Sequence, residues 1–275
     1  MGSKYSLIYL TTGCCSPAQM LRIASKTGYH CIGARTIPMG LKGERTYDLA
    51  GDHQLLRETK EAMEETGITI DSIENARIHD GMKLESYEPF LEAAAKLGVR
   101  HVLSNIWSSD KSYYTDRFGA LCDLAASYGQ TIDLEFVTWS SVRDLRESRA
   151  LLEAVNRPNT SILVDTLHFH RSQIALSELE QIPKEWLYCI HLCDAPPEIP
   201  KNPEALAQTA REGRLYPGEG GIDIRSIAAC MPNAVRGIEI PNRSRWDLLG
   251  YEAYAREAPQ RTREYLEETE RGGLI

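Results

Sequence analysis

Residues 98–135 read GVRHVLSNIWSSDKSYYTDRFGALCDLAASYGQTIDLE. The run His101 to Asn105 is short and largely apolar. The amphipathic stretch Arg117 to Tyr128 stops at Gly129, and Thr131 to Glu135 is a second short run rich in β-branched and apolar residues. Strand, helix closed by a glycine, and strand again make a βαβ crossover, the unit from which parallel sheets are built.

The same alternation extends in both directions. Short apolar runs recur at Tyr5 to Leu10, His30 to Ala34, Thr69 to Glu74, Ser161 to Asp165, Leu187 to Leu192 and Val235 to Ile240, which with the two above makes eight. Helical segments lie between them. Ser16-Pro17 opens one that Gly28 closes, Asp52 to Thr66 ends at Gly67, and Tyr87 to Leu97 ends at Gly98. In each case glycine stands where a helix C-terminus favours a left-handed residue. Ser141 to Val155 and Ile222 to Met231 read as further crossover helices, and Tyr251 to Arg271 as a terminal helix. Eight strand–helix pairs without a linker predict a single (β/α)8 barrel over residues 1–275, an α/β fold typically of ~250 residues. A doubly wound open sheet is the alternative, but no G-x-G-x-x-G follows the first strand. Long loops at Thr36 to Gly51 and Ala195 to Gly221 leave strand C-termini, the ends where barrels keep their sites.

Composition sets limits on function. Of 275 residues, 42% are hydrophobic and 25% charged, the balance of an ordinary globular protein. A net charge of −8 with scattered Lys and Arg argues against a nucleic-acid partner. No run approaches the ~20 apolar residues of a membrane span. Seven Cys without framework spacing, and no apolar leader between Met1 and Leu10, lead us to expect free thiols and a cytoplasmic protein.

Four strands of the second half end in, or beside, a side chain able to bind a metal: Asp133-Leu134-Glu135, Leu163-Val164-Asp165, Ile190-His191-Leu192 and Ile238-Glu239-Ile240. Consecutive barrel strands are neighbours, so Glu135, Asp165, His191 and Glu239 should converge on one quadrant of the mouth. Singly, each reads as readily as a helix cap, an ion-pair partner or a satisfied strand histidine. Together they require a cation, because three carboxylates in a dry site would otherwise neutralise one another by taking up protons. Carboxylate oxygens with one imidazole suit Mn²⁺ first, then Mg²⁺ or Co²⁺, with Zn²⁺ less favoured. Cys189 and Cys193 flank His191 and are expected to point away from it and serve packing.

These residues, with Asp165-Thr166-Leu167-His168, His191-Leu192-Cys193-Asp194, Arg214, Pro217-Gly218-Glu219-Gly220-Gly221-Ile222-Asp223 and Gly237-Ile238-Glu239, resemble the xylose-isomerase-like barrels over most of the chain. That group includes sugar isomerases and epimerases, inosose and 3-dehydroshikimate dehydratases, and endonuclease IV. The resemblance implies that the four residues bind metal, that His168 faces the substrate, and that Arg214 contacts substrate oxygens or a carboxylate. From the ketose 3-epimerases it implies that Glu135 and Glu239 also move the proton beside the carbonyl through an enediolate. From the dehydratases it implies a metal-dependent lyase acting on a keto-cyclitol, keto-sugar or dehydroshikimate, with His168 as base or acid because imidazole titrates near neutral pH. Dehydratases of the dehydroshikimate type tend to carry glutamine at the place of His191, which favours the isomerase. Endonuclease IV needs further histidines at strand ends, which His30, His53, His79 and His101 do not supply. Dimers or tetramers are common in the group.

At the rim, Arg35, Arg77, Trp107 and Trp139 follow the second to fifth strands, where Arg can clamp an anion and Trp can wall a sugar ring, or where either can simply anchor a loop. Arg171 beside His170 reads the same way. The run Gly218 to Gly221 lacks the Lys and Ser/Thr of a P-loop and is expected to be a flexible hinge holding Arg214. Isomerase or epimerase, dehydratase, and non-catalytic binding barrel all remain open on the residues alone.

Overall fold

The computed structural model describes residues 3–40 and 44–272, with side chains to 267. Residues 41–43 of the loop expected at Thr36 to Gly51 and the ends of the chain lie outside the described residues. Eight strands, β1 (Tyr5–Ile8), β2 (Cys31–Arg35), β3 (Thr69–Ile78), β4 (His101–Ile106), β5 (Thr131–Glu135), β6 (Thr160–Asp165), β7 (Cys189–Leu192) and β8 (Val235–Ile238), pair in parallel and in sequence order. β1 also pairs with β8, Leu7 against Ile238, so the sheet closes into the expected barrel. Closure leaves no free edge, and the interstrand pairing fixes which residues stand side by side at the mouth.

The helices form where caps and apolar faces coincide. α1 (Tyr9–Thr12) follows β1 directly, so the first strand is shorter than expected: Gly13 takes φ +43° and its N–H bonds back to the Tyr9 carbonyl, turning the chain. α2 (Pro17–Thr27) has the Ser16–Gln19 capping box and ends at Gly28. α3 (His53–Thr66) is capped by Asp52 and α4 (Glu88–Lys96) carries proline in its first turn. α5 (Lys111–Ala126) starts six residues before the predicted Arg117, because the Asp110 carboxylate accepts the Tyr113 N–H as an N-cap. α6 (Leu145–Val155) likewise starts at the Asp144 cap rather than at Ser141. Between β6 and β7 two short helices, α7 (Thr166–Ser172) and α8 (Leu176–Glu180), replace one crossover helix. After β7 comes α9 (Pro203–Glu212), hidden from prediction inside a long loop but marked by an Asn202 cap before Pro203. The wall closes with α10 (Ile224–Ala229), α11 (Arg243–Leu249) and α12 (Tyr251–Gly272). β3 runs four residues past Glu74, with a register shift between Ile73 and Ala76.

At the N-terminal end of the barrel a polar layer closes the interior. His101 Nδ1 lies 3.0 Å from Asp133 Oδ1, which also accepts the Ser161 hydroxyl. Tyr188 stacks on the His101 ring and donates to Asp71, which is paired with Lys4 at 2.6 Å. Burial alone would lower the His101 pKa, but Asp133 outweighs it and the value is raised above 6.5. A raised folded-state pKa adds stability that is complete below the unfolded value and is lost as pH rises through the folded one. His101→Asn should therefore lower the melting temperature by about 3 °C at pH 6, the equivalent of roughly 1 kcal/mol. Melts of both proteins from pH 6 to 9 should show the gap narrowing; a constant gap would remove the charged pair from the account.

Candidate metal centre

Glu135 and Asp165 are the last residues of β5 and β6, His191 is the third residue of β7, and Glu239 follows β8 by one. Register sets Asp165 beside His191 and His191 beside Gly237. One ligand-capable atom from each of the four lies within 4.8 Å of all the others, and all four residues are buried. Gly237 makes room for this: a Cβ there would lie 2.6 Å from His191 Cδ2 and 3.0 Å from the Ile8 side chain.

Arg214 is the cation that the cluster already contains. Its Nη1 donates to Asp165 Oδ2 at 2.6 Å and lies 3.0 Å from Glu239 Oε2, while its Nε donates to the Ala210 carbonyl at 2.8 Å. Asp165 Oδ1 accepts the N–H groups of Leu167 and His168, so this carboxylate also caps α7. Glu135 is less well supplied, with Asn105 Nδ2 at 3.5 Å. Burial first, then Glu239 and Asp165, push the Glu135 pKa up to about 8. Burial would raise Glu239 too, but Arg214 and His191 outweigh it and hold that carboxyl well below the usual range. For His191 burial favours the neutral ring, yet Glu239 and Cys189 override it and raise the pKa well above the ordinary value.

Three carboxylates against one guanidinium thus leave a buried site that gathers protons for want of positive charge. Its His191 Nδ1 is buried without a hydrogen bond, the Glu239 Oε2 atom lying 3.5 Å away. An imidazole nitrogen left without a hydrogen bond, in a cluster whose Glu135 is under-neutralised, suits a divalent ion, which would take the place of those protons.

A cavity of about 240 Å³ opens over the cluster. That is below the ~300–1,000 Å³ of sites for drug-sized ligands, and is a size for one small ligand. Glu135 and Glu239 line it; Asp165 and His191 do not. His168, Arg214, Arg35, Trp107 and Trp139 line it as well, so the residues expected to face the substrate meet the two glutamates in one place. Arg77 joins them, its guanidinium 4.6 Å over the Trp107 ring. Arg171 does not: it is buried and donates to the Leu206 carbonyl, anchoring α9.

Four expectations need correction or addition. His168 was expected to titrate near neutrality, but burial against Trp139 depresses its pKa to about 4, so it is a neutral imidazole. Cys189 and Cys193 do not point away from His191. Residues two apart share a strand face, so Cys189 is within hydrogen-bonding reach of the His191 ring, and Cys193 Sγ lies 3.4 Å from Arg214 Nη1. Gly218 to Gly221 is not a loose hinge, because the Asp194 carboxylate accepts the N–H groups of Ala195, Gly218, Gly220 and Ile222. Sequence reading also missed Glu74, paired with Arg35 at 2.8 Å, and Asn105, which accepts from Trp107 Nε1 at 2.6 Å and reaches Glu135. Asn105 stands at the mouth end of β4, next in register to Glu135, a position that could have flagged it.

Fold and centre together define a (β/α)8 barrel with a buried acidic–histidine cluster at its mouth. The chain matches the xylose isomerase-like TIM barrel family over residues 21–265 and belongs to it. It is 25% identical over 151 residues to an inosose isomerase of Bacillus subtilis strain 168, covering 51% of this chain and 52% of that protein. To the inosose isomerase of Bacillus velezensis it is 24% identical over 221 residues, 75% of each. The chain therefore spans about half the length of the first of these curated relatives. Among solved structures, an IOLI protein with a bound zinc atom superposes with a TM-score of 0.77 at 21% identity, covering 96% of this chain and 98% of the other. Among the described residues no helix is long and apolar enough to cross a membrane.

Two substitutions test the geometry. Gly237→Ala should displace the His191 ring, costing about 1–3 kcal/mol of stability and weakening divalent-ion binding together. Calorimetric melts with and without metal read both, and an unaltered metal-induced rise in melting temperature would show that the ring has not moved. Asp194→Asn replaces one acceptor oxygen by a donor facing N–H groups, so amide exchange at residues 218 and 220 should speed up by at least about tenfold; wild-type protection would mean that the loop is held by other contacts.

Proposed function

We propose that this protein is a divalent-metal-dependent sugar isomerase or epimerase acting on a hydroxy-ketone. The observation that carries the reading is the split within the cluster: Glu135 and Glu239 reach the cavity, while Asp165 and His191 stand behind them. Two carboxylates exposed to a bound ligand are what proton removal and return at one carbon require. The inosose isomerase relatives support a sugar-like substrate, and we read residues 1–275 as one barrel domain.

Glu135, Asp165, His191 and Glu239 would hold the ion, whose chemistry is to polarise a carbonyl and acidify the neighbouring C–H. Mn²⁺ suits the three carboxylates best, Mg²⁺ and Co²⁺ are alternatives, and the zinc in the similar structure makes Zn²⁺ part of any test. Glu135 and Glu239 then exchange the proton, one taking it and the other returning it. Arg214 fixes the orientation of Glu239 and Asp165 through the contacts above, and Asn105 that of Glu135. His168, neutral through burial, hydrogen-bonds a substrate hydroxyl without adding charge. Trp107 and Trp139 form apolar walls, and Arg35, paired with Glu74, presents a guanidinium already balanced in charge.

The test is proton NMR in D₂O of protein reconstituted with each metal, using ketoses, ketose phosphates, keto-sugar acids, inososes and dehydroshikimate. Exchange of the proton beside the carbonyl without loss of water is expected; a vinyl signal would replace the isomerase by a dehydratase. Glu239→Gln should weaken metal binding by at least about tenfold and abolish exchange while leaving the far-UV spectrum unchanged. Wild-type exchange in that variant would refute the assignment of Glu239.

A further inference from the structure

Four arginines and three glutamates line the cavity, and among the described residues they are unevenly paired: Glu135, in the cluster, has no cation of its own, while two arginines have no carboxylate. Asp165 and Glu239 are met by Arg214, and Glu74 is met by Arg35. Arg77 and Arg211 also line the cavity, and among the described residues neither has a carboxylate at ion-pairing distance. Arg77 is half-buried, held by stacking on Trp107, and its Nε is buried without a hydrogen-bond partner. Burial first of all, and then the like charges of Arg211 and Arg35, lower its pKa against the favourable fields of Tyr87 and Glu44. A guanidinium kept in place under such conditions is a fork awaiting an oxyanion, since burying a charge unpaired is costly.

Its position gives the ligand a direction. From Arg77 the contacts run through Trp107 to Asn105 and from Asn105 to Glu135, so this guanidinium and the clustered carboxylates stand at opposite ends of a chain of contacts along one cavity, and Arg211 lies near enough to Arg77 for its charge to act on it. We propose that the substrate is an anionic hydroxy-ketone whose far end carries a carboxylate or a phosphate, bound by Arg77 with Arg211 at the rim. This narrows the substrate class of the reading above and rests on that cavity being the substrate site; it sets the ligand apart from a neutral ketose or cyclitol.

The experiment reads binding, not turnover, with three ligands that have no carbonyl: xylitol, xylonate and xylitol 5-phosphate. Each is titrated calorimetrically into the metal-loaded full chain. At least one anion should bind roughly tenfold or more tighter than xylitol, the scale of a charge-assisted bidentate contact, and added salt should erode that advantage. The anion with the larger advantage identifies carboxylate or phosphate as the natural group. Arg77→Gln should bring the tighter anion to within about threefold of xylitol, both measured on that variant. Arg211→Ala, at an exposed helix position, should reduce the advantage in part and serves if Arg77→Gln does not fold. Xylitol binding as tightly as both anions, no binding by any of the three, or an anion advantage that survives both substitutions would overturn the proposal. Because nothing is turned over, loss of the isomerase reading would leave an observed anion preference standing, and an observed isomerisation would not rescue a missing one.

Discussion

Mutual repulsion among three carboxylates held within 4.8 Å is the constraint on which the rest of the mouth depends. Barrel closure makes the crowding unavoidable, because β5 to β8 are consecutive neighbours and each delivers its side chain at the same end. Burial removes the water that would dilute the repulsion. What surrounds the cluster is therefore an arrangement of positive charge and N–H donors: one guanidinium, the first turn of α7 on Asp165, and an amide on Glu135.

Arg214 could not do this from a free loop. Its N–H donates to the Pro241 carbonyl, its own carbonyl accepts from Asn242, and the next residue, Leu215, forms a two-bond bridge with Asp194. The segments that follow β7 and β8 are thus stitched together through the residue that neutralises the cluster. Asp194 adds a second tie by collecting four backbone N–H groups from its own loop. A carboxylate used in this way replaces a hydrophobic anchor at a place where the backbone has to run close to itself: a Cβ at Gly220 would stand 2.1 Å from the Ala195 carbonyl oxygen.

Much of the architecture was legible because two strong local signals repeat. Glycine after Thr66, Leu97 and Tyr128 marks helix ends, and apolar runs of strand length separate them. The four clustered residues were legible for a related reason: a polar residue at the end of an apolar strand has nowhere to go but the mouth. What sequence could not supply was burial. Nothing around His168 in the chain says that Trp139 and the cavity floor will strip its water, and so its depressed pKa emerges only from the fold. Helix starts were misplaced where a single Asp, at 110 or 144, outweighs the onset of periodicity. The placing of Cys189 and Cys193 failed differently: strand parity was available in the sequence and puts both on the face of His191.

The two sets of residues that meet in the cavity come from different arcs of the barrel. The acidic–histidine cluster belongs to the mouth ends of β5 through β8, whereas Arg35, Arg77 and Trp107 lie at or next to the ends of β2, β3 and β4, and Arg211 sits on α9. The two sets share no strand, so the charge at the rim and the charge of the cluster are set by separate substitutions. Replacing Arg77 or Arg211 by a neutral residue alters the charge of the cavity and leaves untouched the register that brings Glu135, Asp165, His191 and Glu239 together.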